Sequence, residues 1–276
     1  MTEQSPDRPL VLVDRPRPGV AVITLNRPER MNSMAFDVML PLKAALDEVT
    51  ADNEVRAVVL TGAGRGFSSG ADHKSAGSVP HVAGLTRPTF ALRSMEVLDE
   101  VILAIRKLHQ PVIAAVNGAA IGGGLCLALA CDVRVAAAGA YFRAAGINNG
   151  LTASELGLSY LLPRAIGTSR AFEIMLTGRD VDAAEAERIG LVSHTVADDD
   201  LLETCYAMAE RIGTFSRPGI ELTKRTLWSG LDAGSLEGHM QAEGLGQLFV
   251  RLLTANFEEA VAARAEKRPA VFTDEK

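Results

Sequence analysis

The chain has 276 residues, 47% of them apolar and 22% charged, with a formal net charge of −6. That length and apolar content suit one large domain with a sizeable core. The net negative charge argues against a nucleic-acid backbone as the main partner.

Positions 1–9 are polar and contain proline, without the apolar centre of a signal peptide, and read as a flexible N-terminus. Residues 10–13 and 20–25 are β-branched runs separated by Pro16, Pro18 and Gly19, which predicts a hairpin. Residues 35–49 carry apolar side chains at helical spacing, with Ser33 as a candidate cap. Residues 55–60 read as a buried strand, and a glycine-rich segment, Gly66-Phe67-Ser68-Ser69-Gly70-Ala71-Asp72-His73-Lys74, follows it. Residues 75–88, rich in Gly, Pro and Ser, predict a mobile loop, and residues 90–108 a long helix.

Residues 111–131 form a run of 21 residues without a charge, long enough to raise the question of a membrane span. Pro111, Asn117 and four glycines interrupt it, so a strand at 112–116, a turn through Asn117-Gly118-Ala119-Ala120-Ile121-Gly122-Gly123-Gly124 and a buried helix at 125–130 explain it better. A further strand is expected at 133–136. Beyond position 154 the pattern is almost entirely helical, with segments near 169–176, 183–189, 199–212, 218–231 and 235–263. Strand-then-helix order implies right-handed crossovers between strands buried on both faces. Cys126, Cys131 and Cys205 show neither zinc spacing nor a disulfide framework, which fits a reducing cytoplasm.

The two glycine-rich segments carry the chemistry. Each follows an apolar run and leads toward a helix, so each can bring bare backbone against a ligand and leave first-turn N–H groups free for negative charge. Two such turns can aim two N–H groups at one developing oxyanion, an arrangement worth roughly 3–4 kcal/mol of barrier per donor.

Those residues, taken in order with Thr24-Leu25-Asn26-Arg27-Pro28-Glu29-Arg30-Met31-Asn32, Leu60-Thr61-Gly62, Leu176-Thr177-Gly178, Gly190-Leu191-Val192 and Glu266-Lys267-Arg268-Pro269-Ala270-Val271-Phe272, resemble the crotonase superfamily, the enoyl-CoA hydratase/isomerase family. The resemblance runs over essentially the whole chain after position 10. It implies an α/β fold: a spiral of β-β-α turns over 10–193 carrying a CoA-thioester site, then a C-terminal helical layer over 194–276 that assembles trimers or hexamers. It further implies an acyl-CoA or enoyl-CoA thioester as partner, with no cofactor beyond the coenzyme A of the substrate. By the same resemblance, Ala71 and Gly123, the latter flanked by Gly122, supply the oxyanion N–H groups. Asp72, His73 and Lys74 lie where the family wraps the adenine and pantetheine end of the thioester. Arg30 is a phosphate candidate, and Lys267 and Phe272 match positions that touch coenzyme A from a neighbouring subunit. A histidine titrates near neutrality, so His73 reads either as lining or as an acid–base group.

Hydratases of this family activate water with two glutamates. At the matching positions this chain has Cys126 and Gly146. A thiol of ordinary pKa about 8.5 and a residue without a side chain cannot replace them, so hydration is expected to be weak or absent. Cys126 reads as a small buried side chain or, alternatively, as a nucleophile. Glu155 resembles an acid that dienoyl-CoA isomerases carry nearby. It also reads, and more strongly, as the last residue of a capping box, Thr152-Ala153-Ser154-Glu155. Three functions therefore stay open: an isomerase or lyase acting on acyl- or enoyl-CoA with Glu155 or another, unassigned group transferring the proton, a non-catalytic acyl-CoA binder, and an assembly subunit with a vestigial pocket.

Overall fold

In the computed structural model the described residues are 8–275, so most of the expected flexible N-terminus, positions 1–7, lies outside them. The hairpin forms as β1 (Val11–Arg17) and β2 (Val20–Leu25), antiparallel and offset by an irregularity between Asp14 and Arg17. Helix α1 (Phe36–Ala51) buries Val38, Met39, Leu42, Leu46 and Val49, the stripe its spacing predicts. Its N-terminus departs from expectation: Ala35 occupies the cap, and the Ser33 hydroxyl bonds Asp72 instead.

The chain then repeats one unit. Strand β3 (Ala57–Gly62) is followed by the short β4 (Gly66–Ser68) and α2 (Arg87–Lys107). Next come β5 (Val112–Val116), the short β6 (Ala119–Ile121) and α3 (Gly123–Ala130), and then β7 (Val133–Ala137) with the short β8 (Tyr141–Arg143). The long strand of each unit joins one sheet and the short strand a second, which makes the chain a spiral. Helices α4 (Leu158–Ile166) and α5 (Thr168–Thr177), strand β9 (Asp180–Asp182), helix α6 (Ala183–Arg188) and strand β10 (His194–Val196) follow. Among the described residues the large sheet has the order β1-β2-β3-β5-β7-β10 and the small one β4-β6-β8-β9. From β2 onward the large sheet is parallel. Both β3 and β5 are buried along their whole length, as strands covered on two faces must be.

The C-terminal layer comprises α7 (Leu201–Gly213), α8 (Arg217–Gly230), α9 (Leu236–Leu253) and α10 (Asn256–Glu266). The single helix expected over 235–263 is thus two, broken at Thr254, whose hydroxyl turns back onto the Val250 carbonyl. Helix α7 packs across β3, β5 and β7. Helix α8 is fastened by a buried pair: the Lys224 ammonium lies 2.8 Å from the Asp132 carboxylate, which also accepts from the Trp228 indole. The uncharged run is β5, β6 and α3, and among the described residues no helix is long and apolar enough to cross a membrane.

The second sheet positions the site. Strands β4 and β6 pair in parallel, Gly66 beside Ala119 and Ser68 beside Ala120. Their carboxyl ends are therefore adjacent, and the two glycine-rich turns leave the sheet side by side.

Candidate active site

The first turn is held by Asp72. Gly70 accepts from the Met34 N–H at 2.7 Å and Asp72 donates its own N–H to the Met34 carbonyl at 3.1 Å. Alternation along an extended chain turns the N–H and carbonyl of Ala71, the residue between them, to the opposite side. Ala71 is exposed there. The Asp72 carboxylate accepts from the Lys74 and Ser75 N–H groups at 2.9 Å each, from Arg30 and Arg27 at 2.8 Å each, and from Ser33 at 3.1 Å. Burial by itself would raise its pKa. The backbone N–H groups, the Arg30 guanidinium and the Ser33 hydroxyl outweigh burial and hold it far below the carboxylate range. Asp72 thus anchors the turn from which His73 and Lys74 project into solvent. Arg30 keeps 30% of its side chain exposed, and with Arg27 it sets two guanidinium groups against one carboxylate.

The second turn ends at Gly122, whose φ of 52° suits glycine alone. Gly123 opens α3, so its N–H lies among the first-turn donors that a helix leaves unpaired. The turns touch: a Cβ built on Gly70 would lie 3.2 Å from the Gly123 nitrogen.

Glu155 reaches the second turn from a third segment. Its Oε1 lies 3.1 Å from where a Cβ on Gly122 would sit. Residues 152–155 do not form the capping box their sequence suggests. Helix α4 starts at Leu158 behind Gly157, and the Thr152 hydroxyl bonds the Ser154 carbonyl rather than a helix N–H. Among the described residues the Glu155 carboxylate has no hydrogen-bond partner. It is half-buried; burial raises its pKa above the ordinary 4.5, while the nearby His73 pulls the other way.

Cys126 is fully buried in α3, and burial, then the Glu155 charge, push its thiol well above the ordinary range. That leaves it protonated and out of reach, so the nucleophile reading fails. Gly146 is closed to any side chain, because the Thr152 carbonyl occupies the place of its Cβ. Lys267 caps α10 in the left-handed region, and Phe272 lines a groove with Phe215, Leu227 and Val250 between α8 and α9. Neither joins Ala71, Gly123 and Glu155 within one chain.

Sequence reasoning missed Met34 and Leu156, which pack on Gly123, and the pairing of Arg27 with Asp72. Arg27 sits in a conspicuous Asn-Arg-Pro motif. Leu156 gives no sign of its φ of 45°, a conformation leucine rarely adopts.

The model of the family described as enoyl-CoA hydratase/isomerase matches residues 15–275. A protein of Mycobacterium bovis named "Probable enoyl-CoA hydratase echA12" is 82% identical over 96% of this chain and 93% of its own length. The crystal structure of a probable enoyl-CoA hydratase/isomerase from Mycobacterium abscessus superposes with a TM-score of 0.94 at 75% identity, covering 98% of this chain and all of its own. A monofunctional enoyl CoA isomerase from M. smegmatis is 74% identical, with a TM-score of 0.73 over 85% of this chain and 99% of its own. A two-sheet spiral with paired glycine turns and this extent of identity have one reading: the chain belongs to the enoyl-CoA hydratase/isomerase family of the crotonase superfamily.

Proposed function

We propose that this protein isomerises an unsaturated acyl-CoA thioester, moving the double bond by proton transfer at Glu155, and does not add water. The observation that carries the reading is the unpaired, half-buried Glu155 carboxylate over Gly122, where Cys126 and Gly146 offer no second acid. Glu155 takes a proton from C2 of a 3-enoyl thioester. The electron pair spreads over C2, C4 and the thioester oxygen, and the N–H groups of Ala71 and Gly123 stabilise the charge there. These donors strengthen as charge builds, so they favour the transition state over the ground state. The same carboxyl returns the proton to C4, leaving a 2-enoyl thioester. One base suffices for this, whereas hydration needs a held and activated water. A pKa raised by burial suits a base that must also act as an acid. Arg30, His73 and Lys74 offer cationic and polar contacts to the nucleotide end of the thioester.

Incubating a panel of enoyl-CoAs with the protein in D₂O, then separating and weighing the products, tests this. Interconversion of 3- and 2-enoyl thioesters with no added water is expected, deuterium entering to the extent that the Glu155 carboxyl exchanges its proton with solvent before returning it. Water addition at about 10 s⁻¹ or faster, typical of dedicated enzymes, would sink the reading. No turnover of any substrate, with saturated acyl-CoA still bound, would make the protein a binder.

Assembly is part of the proposal. Among the described residues helix α9 buries none of its own, and Leu245, Leu248, Phe249 and Leu252, which share one face at helical spacing, are all more than half exposed. So large an apolar face marks a protein–protein contact, and trimers or hexamers would cover it while bringing a neighbour's Lys267 and Phe272 toward the thioester. Sedimentation is expected to return three or six chains; a monomer at micromolar concentration would rule this out.

A further inference from the structure

Cys126 and Gly146, which look like losses, together make a seat for the segment that carries Glu155. The Cys126 thiol lies 3.3 Å from the Gly122 carbonyl and 3.5 Å from the Glu155 backbone carbonyl, so its single S–H faces both. These are the two residues that meet again where the Glu155 carboxylate covers Gly122. On the far side, the Thr152 carbonyl fills the volume of a Gly146 side chain, and the Ala153 Cα lies 3.1 Å from the same point. A glutamate at either position would displace residues 152–156. The segment also contains strain: Leu156 sits at φ 45°, a conformation that its surroundings must hold. Burial of Ala153, Leu156 and Leu158 holds the chain, but none of these contacts orients Glu155 itself.

We propose that Cys126 is a positioning residue: its thiol pins the Glu155 backbone carbonyl, and with the bare Gly146 it seats residues 152–156 so that the Glu155 carboxylate faces the Gly123 turn. The proposal rests on the isomerase reading. It makes the replacement of both glutamates a single change, in which the space of the water-activating acids is refilled by the backbone that delivers a different one. The titratable groups acting on Glu155 are His73, from the turn after β4, and Cys126 itself, from α3.

The test compares wild type, Cys126→Ala, Cys126→Val, Cys126→Ser and Glu155→Gln as full-length proteins on a 3-enoyl-CoA. Alanine removes the donor and leaves a cavity, whereas valine removes the donor and fills the space, so one of them carries the test if the other does not fold. Both are expected to lower kcat about 10- to 100-fold, the scale of a misplaced catalytic group. KM should stay within about 2-fold, since binding contacts are kept. The acid limb of the kcat–pH profile should move down toward that of an ordinary glutamate as the carboxylate leaves its half-buried place. Serine, whose hydroxyl can donate to the same carbonyls, should recover most of the loss. A valine variant with wild-type kcat and an unmoved acid limb would overturn the positioning role even where Glu155→Gln is inactive. Full activity of Glu155→Gln would instead overturn the isomerase reading.

Discussion

Glu155→Gln is expected to lower isomerisation turnover about 10²–10⁴-fold, the usual contribution of a positioned acid–base group. The substitution keeps the shape of the side chain and removes only its ability to carry a proton. Thioester affinity should persist, because the Ala71 and Gly123 turns are built by other residues. In the wild type, kcat should rise with pH through an acid limb above the ordinary glutamate value of 4.5, since burial, the larger influence, raises the Glu155 pKa against the pull of His73. The stability consequence has a definite sign. With the folded pKa above the unfolded one, the native state holds more protons between the two values, so stability falls as pH rises through that window. At neutral pH the charged Glu155 therefore costs stability, and glutamine relieves that cost. Thermal unfolding of Glu155→Gln at pH 7 should occur at or above the wild-type temperature, which separates lost chemistry from lost fold.

Asp72→Ala is expected to be the most damaging single change to the site's frame. The Arg27 side chain is only 5% exposed, and its Nε is buried without a partner among the described residues even in the intact protein. Removing Asp72 would leave that guanidinium uncompensated, and breaking a buried pair in this way costs about 3–5 kcal/mol. It would also free the Lys74 and Ser75 N–H groups and loosen Ala71. Denaturant midpoints should fall, and KM for the thioester should rise more than in Glu155→Gln. The pH dependence runs opposite to that of Glu155. The Asp72 pKa is depressed in the fold, so its stabilisation is complete above the ordinary value of 3.8 and drains away as pH falls below it. Acid titration of unfolding free energy should show this loss in the wild type and not in Asp72→Ala. An Asp72→Ala protein with the wild-type midpoint would show that Arg27 finds another partner.

The sequence by itself determined the family, the long strands, the two glycine turns and the residue types, Cys and Gly, at positions 126 and 146. These are local matters: buried parallel strands must be apolar along their length, close backbone turns need glycine, and a residue type either can carry a proton or cannot. Only the tertiary structure decided where Glu155 points. A capping box and an unpaired carboxylate look identical as Thr-Ala-Ser-Glu, and what separates them is that α4 begins at Leu158, behind Gly157 with its φ of 82°. The three-residue strands β4, β6 and β8 were equally hidden, because three residues are too few to show a period of two, and they exist through pairing with strands distant in the chain. Those same pairings set the two glycine turns side by side. Asp72, which the sequence offers as a ligand contact, proves to anchor a turn because five donors converge on it from positions as far back as Arg27. Charge, glycine and apolar pattern can be read along the chain, whereas which buried group meets which depends on contacts between residues far apart in it.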